Sequence, residues 1–233
     1  MTIELNTVTP KFAYISLGPT CLGAEILKAA NLRNCTYGFD WFRSGSEHIK
    51  DFMELDLEEF LIKNVFYPNI PLVQGCDPSV LLNKTAELVP CKPMYGYQYL
   101  YNPHRSYNKQ LNMNYFRRCF ERLKLFVSKQ NNYASFLLAD FPGTSHGSFL
   151  DETKEVAVYL ETLLRNNCIC KFDLKFLRIS FSLSASNPPC IQRFELSSTS
   201  KIYYFSVSSA IQESDYMRKH LYSSIAKLSL EKS

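Results

Sequence analysis

The spacing of apolar residues near the start of the chain predicts a buried strand followed at once by a helix. Residues 12–17 form an almost continuous apolar run that stops at Gly18 and Pro19, as a buried strand does before a sharp turn. Apolar residues then recur on one helical face as far as Asn31, and Thr20 precedes them as a candidate N-cap. This part of the chain is therefore predicted to be a strand–turn–helix unit.

The rest of the chain alternates between helical and strand patterns, apart from one long irregular stretch. Prolines interrupt every candidate element between residues 64 and 111, although residues 95–101 fit one strand. Ser44 to Glu47 fit a capping box that opens a second helix, and residues 57–61 fit a third short one. The remaining predicted helices cover residues 114–130, 151–164 and 213–228, and the remaining predicted strands cover 135–139, 172–183, 191–196 and 201–207.

Strands that alternate with helices in this way are typical of α/β proteins. We expect a layered sheet with flanking helices, to which the late run of strands adds a partly antiparallel C-terminal portion. The chain has 233 residues, of which 46% are hydrophobic, so it fits one domain over residues 1–233 with a large buried core. Its eight glycines argue against a glycine-lined phosphate cradle, because close approach to phosphate needs residues that lack a Cβ.

Charge is distributed unevenly along the chain. Residues 47–63 contain six carboxylates and two lysines, whereas residues 101–130 contain seven Lys or Arg and one Glu. The basic segment has two interpretations: a site for a phosphate-bearing partner, or an exposed helix face neutralised by the acidic segment. We favour the second interpretation. Nucleic-acid binding is not expected, because no recognised nucleic-acid-binding module accompanies the basic segment.

The cysteines and the N-terminal residues bear on compartment and metal binding. Eight cysteines occur without paired spacing, at positions 21, 35, 76, 91, 119, 168, 170 and 190. We therefore expect free thiols, with no disulfide framework, no metal site and no cofactor. The sequence opens without a basic and apolar leader and has no apolar run long enough for a membrane span, so we expect a soluble, cytoplasmic protein.

Cys21 is the strongest candidate for a reactive residue. It falls in the first turn of the predicted helix, where unpaired backbone N–H groups and the positive end of the helix dipole favour a thiolate. Gly18 and Gly23 flank it and are small enough to leave space for a substrate. The other seven cysteines are expected to be core thiols, and a buried structural thiol is also the alternative role for Cys21.

A nucleophilic cysteine requires a base, which is normally a histidine. His104 follows the candidate strand 95–101 in the irregular stretch, where loops that form a site are expected. His146 lies in a loop of small residues and is the second candidate. His48 falls on the acidic surface helix, and His220 falls on the last predicted helix. We favour His104 over His146, because a rigid element next to a loop positions a catalytic group well.

The third member of such a site would be a carboxylate or amide that orients the histidine. Asp40 lies between Phe39 and Trp41, and a carboxylate enclosed by aromatic rings requires a polar partner. Asp140 follows the predicted strand 135–139 and is the alternative. Either could instead be structural, at a turn or at a strand end.

Four segments together carry a family resemblance: ISLGPTC at 15–21, YGFDW at 37–41, His104 and YFRRCFERL at 115–123. In order and spacing they resemble an uncharacterised domain family described as putative papain-like cysteine peptidases. The resemblance implies Cys21 as nucleophile, His104 as base and Asp40 as the acidic position, and it brings in an α+β papain-like fold as the alternative fold class. Papain-like enzymes order their site as Cys, His and then Asn or Asp, an order that Asp140 would restore.

Three functions fit these patterns. The first is a cysteine-dependent hydrolase, either a papain-like peptidase or an acyl-transfer enzyme. The second is a glycan or nucleotide-sugar transferase that uses the strand–turn–helix at 12–30 and the basic helix 114–130. The third is a non-catalytic interaction module. The expected substrate is correspondingly a peptide, an acyl compound or a glycan.

Overall fold

A computed structural model describes residues 11–19, 21–40, 44–64, 109–140, 149–182, 190–208 and 215–230 of the chain. Thr20, the predicted strand 95–101, His104 and His146 lie outside the described residues. The strands are β1 (Phe12–Pro19), β2 (Tyr133–Asp140), β3 (Lys171–Ser182), β4 (Cys190–Glu195) and β5 (Ser200–Ser208). The helices are α1 (Leu22–Ala29), α2 (Ser46–Glu54), α3 (Leu57–Asn64), α4 (Lys109–Val127), α5 (Phe149–Asn167) and α6 (Asp215–Leu230).

The described strands form one five-stranded sheet in the order β1-β2-β3-β5-β4. The pairs β1/β2, β2/β3 and β3/β5 are parallel, and only β4 runs antiparallel, beside β5. The carboxyl ends of the four parallel strands therefore lie at one edge, which we call the carboxyl edge. The predicted α/β class, with its antiparallel C-terminal portion, is confirmed, and the α+β alternative is not observed.

Side chains that alternate along the strands build a separate core on each face of the sheet. Phe136 and Leu138 of β2 pack with α2, α3, α4 and α5, whereas Leu137 and Ala139 of the same strand pack with α1 and α6. This is the period-2 pattern of a strand that is buried on both faces. It explains why β2 has the continuous apolar run that predicted it.

Four phenylalanines join helices α2, α3 and α4 to the turn that contains Asp40. Phe39 lies edge-on to Phe120 of α4 at a centroid distance of 5.2 Å and to Phe52 of α2 at 5.5 Å. Phe60 of α3 contacts the Phe120 ring at 4.8 Å. Edge-to-face pairs add stabilisation beyond the area that they bury, so these rings join the 37–40 turn to three helices.

The start of α1 differs from its prediction, and the end of α1 agrees with it. Cys21, and not Thr20, is the N-cap of α1. The predicted end at Asn31 is confirmed: Asn31 has a positive φ of 57°, and the N–H groups of Asn31 and Leu32 donate to the carbonyls of Lys28 and Leu27. This pair of hydrogen bonds is a Schellman motif, for which Asn is a suitable residue because it tolerates the left-handed conformation.

Candidate active site

Cys21 lies where β1 passes into α1 at the carboxyl edge of the sheet. Its carbonyl accepts a hydrogen bond from the Glu25 N–H at 3.0 Å, which is the first bond of the helix, and its side chain is partly exposed. The turn before it contains Gly18, whose φ of +93° suits glycine. The predicted placement of Cys21 at a helix N-terminus is therefore confirmed, at the positive end of the helix dipole.

The glycines beside Cys21 do not leave open space, as the sequence suggested. A Cβ built on Gly18 would overlap Ser44 Oγ, and one built on Gly23 would lie 2.6 Å from Ser16 Oγ. The prediction that these glycines make room for a substrate is wrong, because serine side chains from β1 and from the start of α2 fill the space. The glycines instead permit close packing at the β1–α1 turn.

The N-terminus of α2 is fixed to this same turn. Ser44 Oγ donates to the Leu17 carbonyl at 2.7 Å, and the Gly45 N–H donates to His48 Nδ1 at 2.9 Å. Gly45 is the N-cap, and His48 takes the place that we assigned to Glu47 in the capping box. The predicted start at Ser44 is thus one residue early.

His48 is buried, with 2% of its surface exposed, although the sequence placed it on a surface helix. That prediction is wrong because α2 turns His48, Ile49 and Phe52 inward. Since Nδ1 accepts a hydrogen bond, the proton of the neutral ring is on Nε2. A ring in this tautomer donates through Nε2 and does not accept a proton there, so His48 does not suit the role of general base.

Asp40 is fully buried and carries an ion pair. Its Oδ2 accepts hydrogen bonds from Arg33 Nε at 3.0 Å and from the Tyr37 N–H at 3.1 Å. Burial raises the pKa of Asp40 to about 6, against the opposing effects of Arg33 and of the Tyr37 N–H. Arg33 follows the C-terminal end of α1, whereas Cys21 caps its N-terminal end, and a helix of this length spans about 12 Å.

Asp140 is the last residue of β2, the strand beside β1. Pro19 of β1 pairs with Ala139, so the backbone of Asp140 lies at the carboxyl edge, next to the turn that leads to Cys21. On its other side Asp140 pairs in register with Arg178 of β3. The topology thus brings Asp140 and Cys21 to one edge of the sheet.

Arg178 is a residue that the sequence analysis missed. It is 2% exposed and is the largest fully buried side chain among the described residues, on the same face of β3 as Phe176. A buried guanidinium needs compensating polar groups. The available signal was a single charge within the otherwise apolar run of residues 176–179, next to the strand that ends at Asp140.

The basic helix contacts the acidic segment and neighbouring backbone. Arg117 forms an ion pair with Glu58, and Arg122 donates to the Thr36 carbonyl. Lys124 donates to the Leu55 carbonyl at 2.9 Å and lies 4.7 Å from the centre of the Phe52 ring. These contacts agree with the interpretation that the basic helix face is neutralised within the molecule. Arg117, Arg122 and Lys124 are then engaged inside the protein and are less available to a phosphate-bearing ligand.

Cys21, Cys35, Cys119, Cys168 and Cys170 are free thiols, as predicted. Cys76 and Cys91 lie outside the described residues. Cys119 and Cys170 are buried, and Cys35 and Cys168 pack against the core. A hydrogen bond between the thiols of Cys168 and Cys170 raises the pKa of Cys168 and lowers the pKa of Cys170. Within the described ranges, no group of three His, Cys, Asp or Glu side chains could hold a metal ion, and no helix is long and apolar enough to cross a membrane.

Comparison with known proteins gives one family. A family model described as putative papain-like cysteine peptidase matches residues 12–191. No curated protein and no solved structure matches the chain. The matched range starts at β1 and includes Cys21, Asp40, His104 and Asp140.

Proposed function

Since the chain belongs to the family described as putative papain-like cysteine peptidases, we propose that it is a cysteine-dependent hydrolase with Cys21 as nucleophile and His104 as general base. One observation carries the proposal: Cys21 is a partly exposed free thiol that caps a helix at the carboxyl edge of a mainly parallel sheet. Ligands of open α/β sheets bind at that edge. A helix N-terminus also favours the thiolate form that attacks a carbonyl.

In the proposed reaction His104 takes the proton of the Cys21 thiol, and the sulfur forms a bond to the carbonyl carbon of a peptide or related acyl substrate. The negative charge that develops on the carbonyl oxygen is stabilised by backbone N–H groups of the first turn of α1. His104 then protonates the leaving amine as the carbon–nitrogen bond breaks. Water hydrolyses the resulting thioester and releases the acid.

For the group that orients His104 we propose Asp140 ahead of Asp40. Asp140 ends the strand beside β1, so it reaches the same edge as Cys21. The Asp40 carboxylate is engaged by Arg33 and by a backbone N–H near the opposite end of α1. The resemblance alone favoured Asp40, so the two variants Asp140→Asn and Asp40→Asn are to be compared directly.

The test is capture of a peptide-based acyl electrophile, measured by intact mass. Wild type is expected to gain one adduct, Cys21→Ala none, and Cys35→Ala one, because Cys35 is a partly exposed free thiol outside the proposed site. His104→Ala is expected to slow capture at least 100-fold, the usual range for losing a general base, whereas His146→Ala leaves it near the wild-type rate. Equal labelling of wild type and Cys21→Ala would overturn the proposal.

The transferase alternative has less support. Arg117, Arg122 and Lys124 of the basic helix are engaged within the molecule. A thermal-shift panel of nucleotide-sugars separates the two functions: stabilisation by a member of the panel, together with absent acyl capture, would favour the transferase.

A further inference from the structure

Two thiols and one thioether meet where α5 ends and β3 begins. Cys168 Sγ lies 4.0 Å from Met53 Sδ of α2, and a hydrogen bond joins the thiols of Cys168 and Cys170. The sulfur of Cys168 is therefore adjacent to the other two. Because β3 starts here, the three sulfurs lie near the edge of the sheet opposite to the one that carries Cys21.

The backbone turns the two cysteines inward together. The N–H of Cys168 donates to the Leu164 carbonyl at 2.8 Å, and the N–H groups of Ile169 and Cys170 both donate to the Val127 carbonyl at 3.0 Å. Ile169 is 61% exposed, whereas Cys170 is 4% exposed and Cys168 packs against the core. The thiols thus lie on the inner side of a turn that is fixed to the ends of α4 and α5.

The separation of the sulfurs suits one metal ion. A metal–sulfur bond is about 2.3 Å long, so three sulfurs around an ion in their plane lie about 4.0 Å apart. The distance from Cys168 Sγ to Met53 Sδ is 4.0 Å. Thiolate and thioether sulfurs are soft ligands that select monovalent copper, whereas a structural Zn²⁺ site takes four ligands. The three sulfurs therefore favour Cu(I) over Zn²⁺.

A positive charge lies beside the sulfurs. Two thiolates and one Cu(I) leave one negative charge, and a buried charge is normally paired. Lys124 Nζ donates to the Leu55 carbonyl at 2.9 Å and lies 4.7 Å from the centre of the Phe52 ring, so it reaches the segment that contains Met53. The charge of Lys124 also interacts with a charge on Cys168. These surroundings suit a complex with one negative charge.

We propose that Cys168, Cys170 and Met53 form a binding site for Cu(I). The ion binds both thiolates and the thioether, and the two thiol protons are released to solvent. Cys168 and Met53 are partly exposed, which gives the ion a path to the site. The site differs from the groups of three His, Cys, Asp or Glu excluded within the described ranges, because its third ligand is a thioether. The spacing of the cysteines alone does not predict it, since Met53 lies 115 positions before Cys168.

The test is an anaerobic titration of the reduced protein with Cu(I) in competition with the chromophoric chelator bicinchoninate. Wild type is expected to withdraw one Cu(I) per chain at this site. Replacing a residue that only orients a metal ligand costs about 10–100-fold in affinity, so Cys168→Ser and Cys170→Ser, which each remove a thiolate, are expected to cost at least about 100-fold. Met53→Leu keeps an apolar side chain of similar volume and is expected to cost about tenfold.

Cys35→Ser is the matched control, because Cys35 is a partly exposed free thiol that packs against the same core. It is expected to bind Cu(I) like wild type. X-ray absorption at the copper edge reads the ligands directly, and the wild-type spectrum is expected to contain only sulfur neighbours, at about 2.3 Å. Circular dichroism separates loss of a ligand from loss of the fold; if Cys170→Ser unfolds, the partly exposed positions Cys168 and Met53 decide the result.

Three results would overturn the proposal: a wild-type protein that takes no Cu(I) from the chelator, equal affinities for wild type and Cys168→Ser, or an equal loss in Cys35→Ser. An unchanged affinity in Met53→Leu would also overturn the three-sulfur site. The outcome is independent of the proposed hydrolase, because Cys21→Ala is expected to bind Cu(I) like wild type. If Cys21→Ala loses the copper and Cys168→Ser keeps it, the ion binds elsewhere and the assigned site is wrong.

Discussion

Replacing Arg33 with alanine tests the buried ion pair that encloses Asp40. Arg33 Nε lies 3.0 Å from Asp40 Oδ2, and the two side chains are 15% and 2% exposed. Removing one partner of a buried pair leaves an uncompensated charge, which costs about 3–5 kcal/mol of the free energy of unfolding. Because Arg33 is partly exposed, we expect the lower value, about 3 kcal/mol, at pH 8.

The same variant is expected to lose less stability at low pH. The pKa of Asp40 is about 6, above its ordinary value of 3.8, so at pH 5 the native carboxyl is mostly protonated. Arg33 then contributes little more than a neutral hydrogen bond, about 1 kcal/mol. Between the unfolded and native pKa values the native state holds a proton that the unfolded state has released, so stability falls as pH rises through this window. Without Arg33 the pKa of Asp40 rises further, and the decline extends to higher pH.

Urea unfolding at pH 5 and pH 8, followed by far-UV circular dichroism, measures both quantities. Arg118→Ala is the matched control, because Arg118 is exposed on α4 and its removal is expected to change stability by less than about 0.5 kcal/mol. Equal losses for Arg33→Ala at the two pH values, or a larger loss at pH 5, would show that the charge of Asp40 is not what Arg33 compensates.

Two further variants test contacts away from Cys21. Glu161 of α5 accepts hydrogen bonds from Thr199 at 2.8 Å, from Ser197 at 2.9 Å and from Ser200. Burial opposes ionisation of this carboxyl, but the hydrogen bonds from these three residues and from Arg165 outweigh it and lower the pKa of Glu161 to about 2. The ionised Glu161 therefore contributes fully to the free energy of unfolding above about pH 4.5, and this contribution is lost as the pH falls toward 2. Glu161→Gln should cost about 2–3 kcal/mol at pH 7 and should flatten the dependence of the urea midpoint on pH between about pH 4.5 and pH 2. An unchanged pH dependence would contradict this. Gly38→Ala places a Cβ into the Phe120 ring and should lower the free energy of unfolding by about 1–3 kcal/mol, measured by thermal melting. The loss should be partly recovered when Phe120 is also replaced by Leu. A neutral Gly38→Ala substitution would show that the turn moves freely.

The sequence predicted the elements well wherever an apolar face determines them. β2 and α5 were each found within three residues at either end, because continuous or 3.6-residue apolar periodicity reports burial directly. The errors fall where backbone contacts set a boundary. The start of α2 depends on His48 accepting from the Gly45 N–H, an interaction that helix-capping patterns based on Glu or Gln do not include.

The candidate site was predictable only in its local part. Cys21 was found because strand, turn and helix are contiguous in sequence, which is enough to place a thiol at a helix N-terminus. The side chain that fills the space at Gly18 and the residues that bury Arg178 come from distant segments, and no single-sequence pattern specifies such contacts. The one-domain organisation and the cytoplasmic location stay predictions.

The most direct test of the proposed nucleophile is to trap the protein with a peptide-based acyl electrophile at neutral pH and map the modified residue by peptide mass spectrometry. We predict one adduct per chain, at Cys21, with the partly exposed thiol of Cys35 unmodified on the same timescale. Modification spread evenly over the exposed thiols, or a trapped chain with unmodified Cys21, would contradict a nucleophilic Cys21.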